Sequence, residues 1–385
     1  MMVDRKLVYI MNHYSEESAS HFYHILNLLN SISLEGVFVY LVIEKASSNP
    51  NFDINSNIEV IVQKRSFLFR PLELAFILFK LRLKGAKKTF VRISQNAAVP
   101  AIIVSRIFGG EVYYWHSGTT YSLRRKFSFD IDYFKNFFVS ELPFLFVKTF
   151  VNYFVTGPEY MVEYYANVVG VKRSKLVCLY NDIDLSRFKN VSLPDREGLR
   201  VELGIENSVF VVLFVHRLSP VRRSLFYMPY VLKDFLLSHP NSICYVIGGG
   251  SEVPELRKML FEFNLEEKVV IVGEKPNAVI HKYYQASDLF VNPTFTEGFP
   301  RVLLEAMASG LPIVTTNAGG IKDILGPLQL EYMVDVLDRD GFSAKLVELG
   351  HNEKTRFYLS KENINHVSRF STRNVAKMYV NKIFR

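Results

Sequence analysis

Short apolar runs alternate with helical patterns along this chain, twice over, and that alternation restricts it to parallel α/β layers. Strand-like runs fall at Lys6–Ile10, Val37–Glu44, Glu59–Val62, Thr89–Ile93, Val112–Trp115, Val151–Val155 and Leu176–Tyr180. Helical patterns cover Glu16–Ser31, Pro71–Leu83, Val99–Phe108 and Pro158–Val169. The rhythm breaks at Phe188–Gly198, where Asn190, Ser192, Pro194, Asp195 and Gly198 read as a linker. A second series follows, with strands at Val209–Val215, Ile243–Ile247, Val269–Val272, Leu289–Asn292 and Ile313–Thr315. Helices at Ser224–Ser238 and Val253–Phe263 separate its early members. The expectation is two doubly wound α/β domains, 1–188 and 199–370, with an amphipathic helix in 371–385 packing back on the first. Open α/β sheets bind ligands outside the carboxyl ends of their strands, so two facing sheets imply a central cleft.

Composition narrows the classes. A chain of 385 residues suits two domains, and 49% hydrophobic with 22% charged residues excludes a disordered chain. No uncharged apolar run reaches the roughly 18 residues of a membrane span. The nearest, Leu142–Phe154, is broken by Lys148, and the first strand is too short for a signal peptide. Cys178 and Cys244 sit in apolar runs and read as buried thiols, without metal spacing or a disulfide framework. A reducing, cytoplasmic location is expected.

The most informative stretch runs from Asn292 to Pro312. A strand ends at Asn292, a loop carries Gly298, and Pro300 suits the first turn of a helix that Gly310 and Pro312 stop. Loop amides and a helix N-terminus make an anion site. Glu305 lies among Val302, Leu303, Leu304, Ala306 and Met307 and needs a hydrogen-bonding partner there. Sugar hydroxyls are suitable donors. The plainer alternative is a surface acid at Glu297 and an ordinary helix ion pair at Glu305.

This stretch resembles the Glu-x7-Glu motif of retaining glycosyltransferases of the GT-B fold, family 4 type, built from two Rossmann-like domains. Glu297 and Glu305 have that spacing, within a matching Glu-Gly-Phe-Pro-x-Val-Leu-Leu-Glu-Ala-Met-Ala-x-Gly-x-Pro pattern. The resemblance places Glu297 beside the donor sugar, Glu305 on the ribose, and the loop of Gly298, Phe299, Pro300, Arg301 and Val302, through its amides, around the diphosphate. Val215–Ser224 resembles the family's Gly-Arg-Leu…Lys-Gly segment. Arg217 fits its Arg, His216 stands for its Gly, and either Arg222 or Arg223 stands for its Lys. Gly249 falls in the family's Gly-x-Gly turn, and Asn181–Phe188 and Ala286–Phe290 match further segments, with Asp182 in place of a Gly. In the first domain Tyr113–Gly118 resembles the strand-His-Gly segment, putting His116 near the donor sugar and acceptor. The family's glycine-rich loop after strand one is replaced by Asn12–Ser18.

The resemblance implies transfer of a sugar from a nucleoside-diphosphate sugar with retention of configuration, with Glu297, His116 and Arg217 as the catalytic candidates. Arg217, Arg222 or Arg223, and the loop amides would stabilise the leaving diphosphate, so neither a metal nor another cofactor is expected. A metal-dependent alternative would need an Asp-x-Asp pair, of which Asp130/Asp132, Asp182/Asp184 and Asp338/Asp340 are available.

Charge speaks to the acceptor. Residues 1–190 hold 23 Lys/Arg against 16 Asp/Glu, and the rest 23 against 22. Between Lys64 and Arg92 nine basic residues interleave with Phe67, Leu68, Phe69, Leu72, Phe76 and other apolar residues, and Arg124–Phe154 repeats the theme. Contact of 64–92 and 124–154 with an anionic membrane, and a glycan or lipid-linked acceptor in surface polysaccharide assembly, follow as expectations. The alternative is a buried amphipathic helix with solvated charges. A nucleic-acid-binding module lacks any accompanying motif, and a dehydrogenase lacks Gly-x-Gly-x-x-Gly after strand one. A sugar-nucleotide epimerase or phosphorylase of similar architecture is separated from a transferase by turnover without acceptor.

Overall fold

The computed structural model describes residues 5–14, 19–48, 53–66, 68–118 and 137–385. Two compact units divide the chain: Met1–Tyr180 with Thr372–Arg385, and Asn181–Ser371.

In the first unit, the described residues form a sheet of β1 (Arg5–Tyr14), β2 (Val37–Ala46), β3 (Ile58–Val62), β4 (Lys88–Arg92), β5 (Glu111–Trp115), β6 (Tyr153–Thr156) and β7 (Leu176–Cys178). All neighbours are parallel, in the order 3-2-1-4-5-6-7. Strand alternation sorts β1 between two cores. Val8 and Ile10 face the core of α2 (Arg70–Leu83), α3 (Gln95–Phe108), α4 (Leu142–Phe150) and α5 (Glu159–Asn167). Leu7 and Tyr9 face α1 (Ala19–Leu34) and the chain's last helix, Thr372–Ile383. That last helix buries Val375, Tyr379 and Ile383 against this unit, with Tyr379 beside Phe90 at 5.5 Å between ring centroids.

The second unit has β8 (Phe210–Val215), β9 (Ser242–Ile247), β10 (Val269–Gly273), β11 (Leu289–Asn292), β12 (Ile313–Thr316) and β13 (Met333–Val334), parallel in the order 10-9-8-11-12-13. Its helices are α6 (Leu193–Glu202), α7 (Met228–Ser238), α8 (Val253–Glu262), α9 (Asn277–Ala286), α10 (Arg301–Ala308), α11 (Arg339–His351) and α12 (Glu353–Val367). Strand order reverses between β8 and β11, which makes their carboxyl ends the topological switch point.

Two expectations need correction. The stretch expected as a linker, Phe188–Gly198, instead opens α6: Ser192 caps it, accepting from the Asp195 amide at 3.3 Å, with Pro194 in its first turn. Ser, Pro and Asp here start a helix. Cys244 is buried, which pushes its thiol up, but Cys178 is only half-buried because β7 is a three-residue edge strand.

Candidate active site

At the switch point of the second unit, the loops after β8 and β11 lie side by side. The Phe295 amide donates to Arg222 O at 3.0 Å and Thr296 Oγ1 donates to Val221 O at 3.2 Å. On the far side, Thr316 Oγ1 donates to Thr294 O at 2.5 Å and accepts from the Thr294 amide at 3.2 Å, so β12 fixes the same loop. The turn after β9 forms a third wall, with the Leu218 amide donating to Gly249 O at 2.9 Å. A Cβ on Gly248 or Gly250 would fall 2.1 Å from His216 O or 1.9 Å from Leu218 O, and both have positive φ. Only glycine lets this turn lie flat there. The glycine named from sequence, Gly249, is the less constrained of the three, since its Cβ would meet the movable Glu274 carboxylate at 2.6 Å.

Glu297 is the centre of this arrangement. It is 4% exposed, and both carboxylate oxygens are engaged. His216 Nε2 lies 2.7 Å from Oε1 and Arg222 Nη1 lies 3.1 Å from Oε2. Arg222 also donates to Thr296 O. The two arginines are placed differently: Arg222 turns in to Glu297, while Arg223 is exposed and stacks over Phe295 at 4.4 Å. Arg217 is exposed at the mouth of the same loop.

Downstream, Gly298, Phe299 and Pro300 are buried and lead into α10, with Pro300 as N-cap rather than in the first turn. Asn181 Nδ2 donates to Phe299 O at 3.3 Å, and Arg301 Nη1 lies 3.5 Å from Asp182 Oδ1. Val302 is half-buried. One turn on, Glu305 is buried and accepts from Tyr284 Oη at 2.8 Å. Burial raises its carboxyl above the ordinary value, against the opposing pull of Arg301, Tyr284 and Arg187. One oxygen of Glu305 therefore has a protein donor.

His116 belongs to the first unit, just past β5. Its amide donates to Val155 O at 3.0 Å, and Nδ1 is 2.5 Å from Tyr165 Oη, which lies 3.2 Å from Gly118 O. Tyr165 thus bridges the His116 ring and the Gly118 carbonyl.

The acidic pairs have local roles. Asp182 meets Arg301, Asp184 accepts from the Ser186 amide at 3.0 Å, and Asp338 caps α11 through the Gly341 amide at 2.9 Å. Asp130 and Asp132 lie outside the described residues, as do Ser15–Ser18, Phe67 and Arg124–Lys126. Among the described residues no group of three or more His, Cys, Asp or Glu side chains gathers as for a metal ion.

Residues 195–366 match the family described as glycosyl transferases group 1. The matched residues take in β8 through β13 and with them Glu297, Glu305, His216, Arg222 and Tyr284. An uncharacterized glycosyltransferase of Methanocaldococcus jannaschii is 27% identical over 44% of this chain and 44% of its own length. An Escherichia coli UDP-Gal:alpha-D-GlcNAc-diphosphoundecaprenol alpha-1,3-galactosyltransferase is 27% identical over 46% of this chain and 45% of its own. The chain thus spans under half the length of these curated relatives. The structure of Anabaena HepE in complex with UDP and glucose superposes with a TM-score of 0.74 at 17% identity, covering 99% of each chain. That likeness shows the fold, two Rossmann-like α/β domains of the GT-B class.

His216, Tyr284, Thr294 and Thr316 within the matched segment, and Asn181 ahead of it, carry the geometry of this site, and sequence reasoning gave none of them a role in it. The available signal was His216 standing where the family pattern has glycine. The others act through tertiary contacts that no local spacing reports.

Proposed function

We propose that this chain is a glycosyltransferase that moves a sugar from a nucleoside-diphosphate sugar to a glycan or lipid-linked acceptor, with retention and without a metal. The observation that carries the reading is the buried Glu297 carboxylate at the switch point, held between His216 and Arg222 and followed eight residues later by Glu305, one turn into α10. In this reading the α10 N-terminus, Arg217 and Arg222 stabilise the leaving diphosphate, Glu297 orients the sugar and Glu305 binds the ribose. The acceptor hydroxyl attacks from the face the diphosphate leaves, and the departing phosphate takes its proton. His116, oriented by Tyr165, serves the acceptor hydroxyl.

Two named proteins support the substrate classes. HepE is described in complex with UDP and glucose, and the Escherichia coli relative is named for a diphosphoundecaprenol-linked acceptor. A lipid-linked acceptor also agrees with the first unit, where α2 and α3 leave Leu72, Phe76, Leu83, Ile103 and Ile107 exposed among basic residues. No helix of the described residues is long and apolar enough to cross a membrane. We therefore assign the protein to the inner face of the membrane, as a peripheral enzyme.

The test is calorimetry with UDP, GDP and ADP in EDTA, followed by transfer assays with the sugars of whichever diphosphate binds. One diphosphate is expected to bind without metal. Glu297→Gln should keep that binding and lose at least about a hundredfold in transfer, the scale of removing one preorganised group. Binding of none of the three, or full turnover by Glu297→Gln, overturns the reading.

A further inference from the structure

Burying a carboxylate is costly unless hydrogen bonds compensate it, and Glu297 has two such partners from one loop. They differ in what else they can do. Arg222 is about a third exposed at its side chain, whereas His216 is only 10% exposed. Under the function proposed above, an arriving diphosphate competes with Glu297 for the Arg222 guanidinium. If Arg222 were the sole partner, releasing it would leave a buried charge uncompensated, and the arginine would be withheld from the ligand. His216 removes that penalty. Its amide is tied to Ile247 O at 3.0 Å, its carbonyl abuts Gly248, and its ring reaches across to Oε1 at 2.7 Å, so it is anchored on β8 independently of Arg222. A glycine at this position, as in the pattern the loop resembles, could not do this.

We propose that His216 is a positioning residue that holds the Glu297 carboxylate while Arg222 turns from Glu297 to the donor diphosphate. The inference rests on the transferase reading and adds to it a division of labour within the β8 loop. The two partners are therefore coupled: removing His216 weakens diphosphate binding only where Arg222 is present to be trapped.

The experiment is a double-mutant cycle in which the dissociation constants of UDP, GDP and ADP are measured by calorimetry for wild type, His216→Ala, His216→Gln, Arg222→Ala and His216→Ala/Arg222→Ala. Thermal melting of each checks that it is folded. For the diphosphate that binds wild type, His216→Ala is expected to weaken binding about tenfold, the scale of one charge-assisted hydrogen bond. His216→Gln, whose amide N–H reaches the same oxygen, should recover most of the loss. In the Arg222→Ala background, His216→Ala should change binding less than twofold. Wild-type affinity in His216→Ala, failure of Gln to rescue, or additive losses in the double mutant would overturn the proposal while leaving the transferase reading in place. Absence of binding to wild type would overturn both. If His216→Ala does not fold, His216→Ser, whose side chain is too short to reach Glu297 Oε1, carries the same comparison alone and with Arg222→Ala.

Discussion

Glu305 shows how a single side chain sets stability against function. Burial holds its carboxyl above the ordinary value of 4.5, so the folded state binds a proton more readily than the unfolded chain. The sign follows from linkage: its contribution is fully present below about pH 4.5 and is lost as pH rises through the folded value. Ionised Glu305 is thus a cost at neutral pH, only partly offset by Tyr284 and by the nearby charges of Arg301 and Arg187. Glu305→Gln keeps an acceptor for Tyr284 and removes the charge. Its melting temperature should exceed that of wild type at pH 7.5, and the gap should shrink as pH falls toward 4.5, as followed by circular dichroism. Under the proposed function, the same variant should bind the nucleoside diphosphate with lower affinity, because the ribose would lose a charged acceptor. A wild-type margin that grows toward neutral pH would contradict the linkage.

At the scale of elements, the β11 strand start and α6 act as one piece. Arg200 on α6 is buried and donates to Asp288 Oδ2 at 2.7 Å, Ala286 O at 2.9 Å and Val209 O at 2.9 Å. Asp288 also accepts from the Val211 amide at 2.8 Å and from Arg196 at 2.5 Å. This aspartate ties α6, β8 and β11 together at the amino ends of the two strands, opposite the switch point. Asp288→Ala strands a buried guanidinium and should cost about 3–5 kcal/mol in denaturant unfolding, the range for breaking a buried ion pair from one side. A loss under 1 kcal/mol would show the network to be dispensable. The matching of Ala286–Phe290 to a family segment pointed to this residue without its reason, since of its two arginine partners Arg196 lies in the stretch read as a linker and Arg200 just beyond it. The strands of both sheets were legible because continuous apolar runs bounded by Gly, Asn and Pro have few other solutions. Glu297, Glu305 and the loop between them were legible because the whole stretch follows one pattern. What escaped were elements whose sequence lacks a clean period. α12 buries only Leu359, Asn363 and Val367, and β13 has two residues. The partners of the two glutamates escaped too, because His216 and Tyr284 reach them from other elements.

At the scale of the molecule, charge and exposed apolar surface coincide in the first unit. α2 packs its Leu74, Leu78 and Leu81 inward and exposes Leu72, Phe76 and Leu83 on another side, preceded by exposed Leu68 and Phe69. Lys80 sits over the Phe76 ring at 4.3 Å, and Lys84 lies near Tyr40. Next to α2, α3 exposes Ile103, Ile107 and Phe108, and α4 exposes Leu142, Leu145 and Phe150. Such a surface costs little in water residue by residue, but contiguous apolar area of this kind marks an interaction face. Basic residues among the apolar ones fit the interface of an anionic bilayer better than another protein core, because each Lys or Arg gains about 1 kcal/mol near such a surface. The prediction separates the two contributions. The protein should float with vesicles containing phosphatidylglycerol at low salt and much less with neutral vesicles. Leu72→Ser/Phe76→Ser should reduce flotation at any salt, whereas Lys80→Gln/Lys84→Gln should reduce it mainly at low salt, where charges are poorly screened. Transfer to a soluble acceptor should be unchanged in all four substitutions, since none of the four is among the residues given a role in transfer. Equal recovery with neutral and anionic vesicles, or flotation indifferent to Leu72 and Phe76, would show that this face meets something other than a lipid surface.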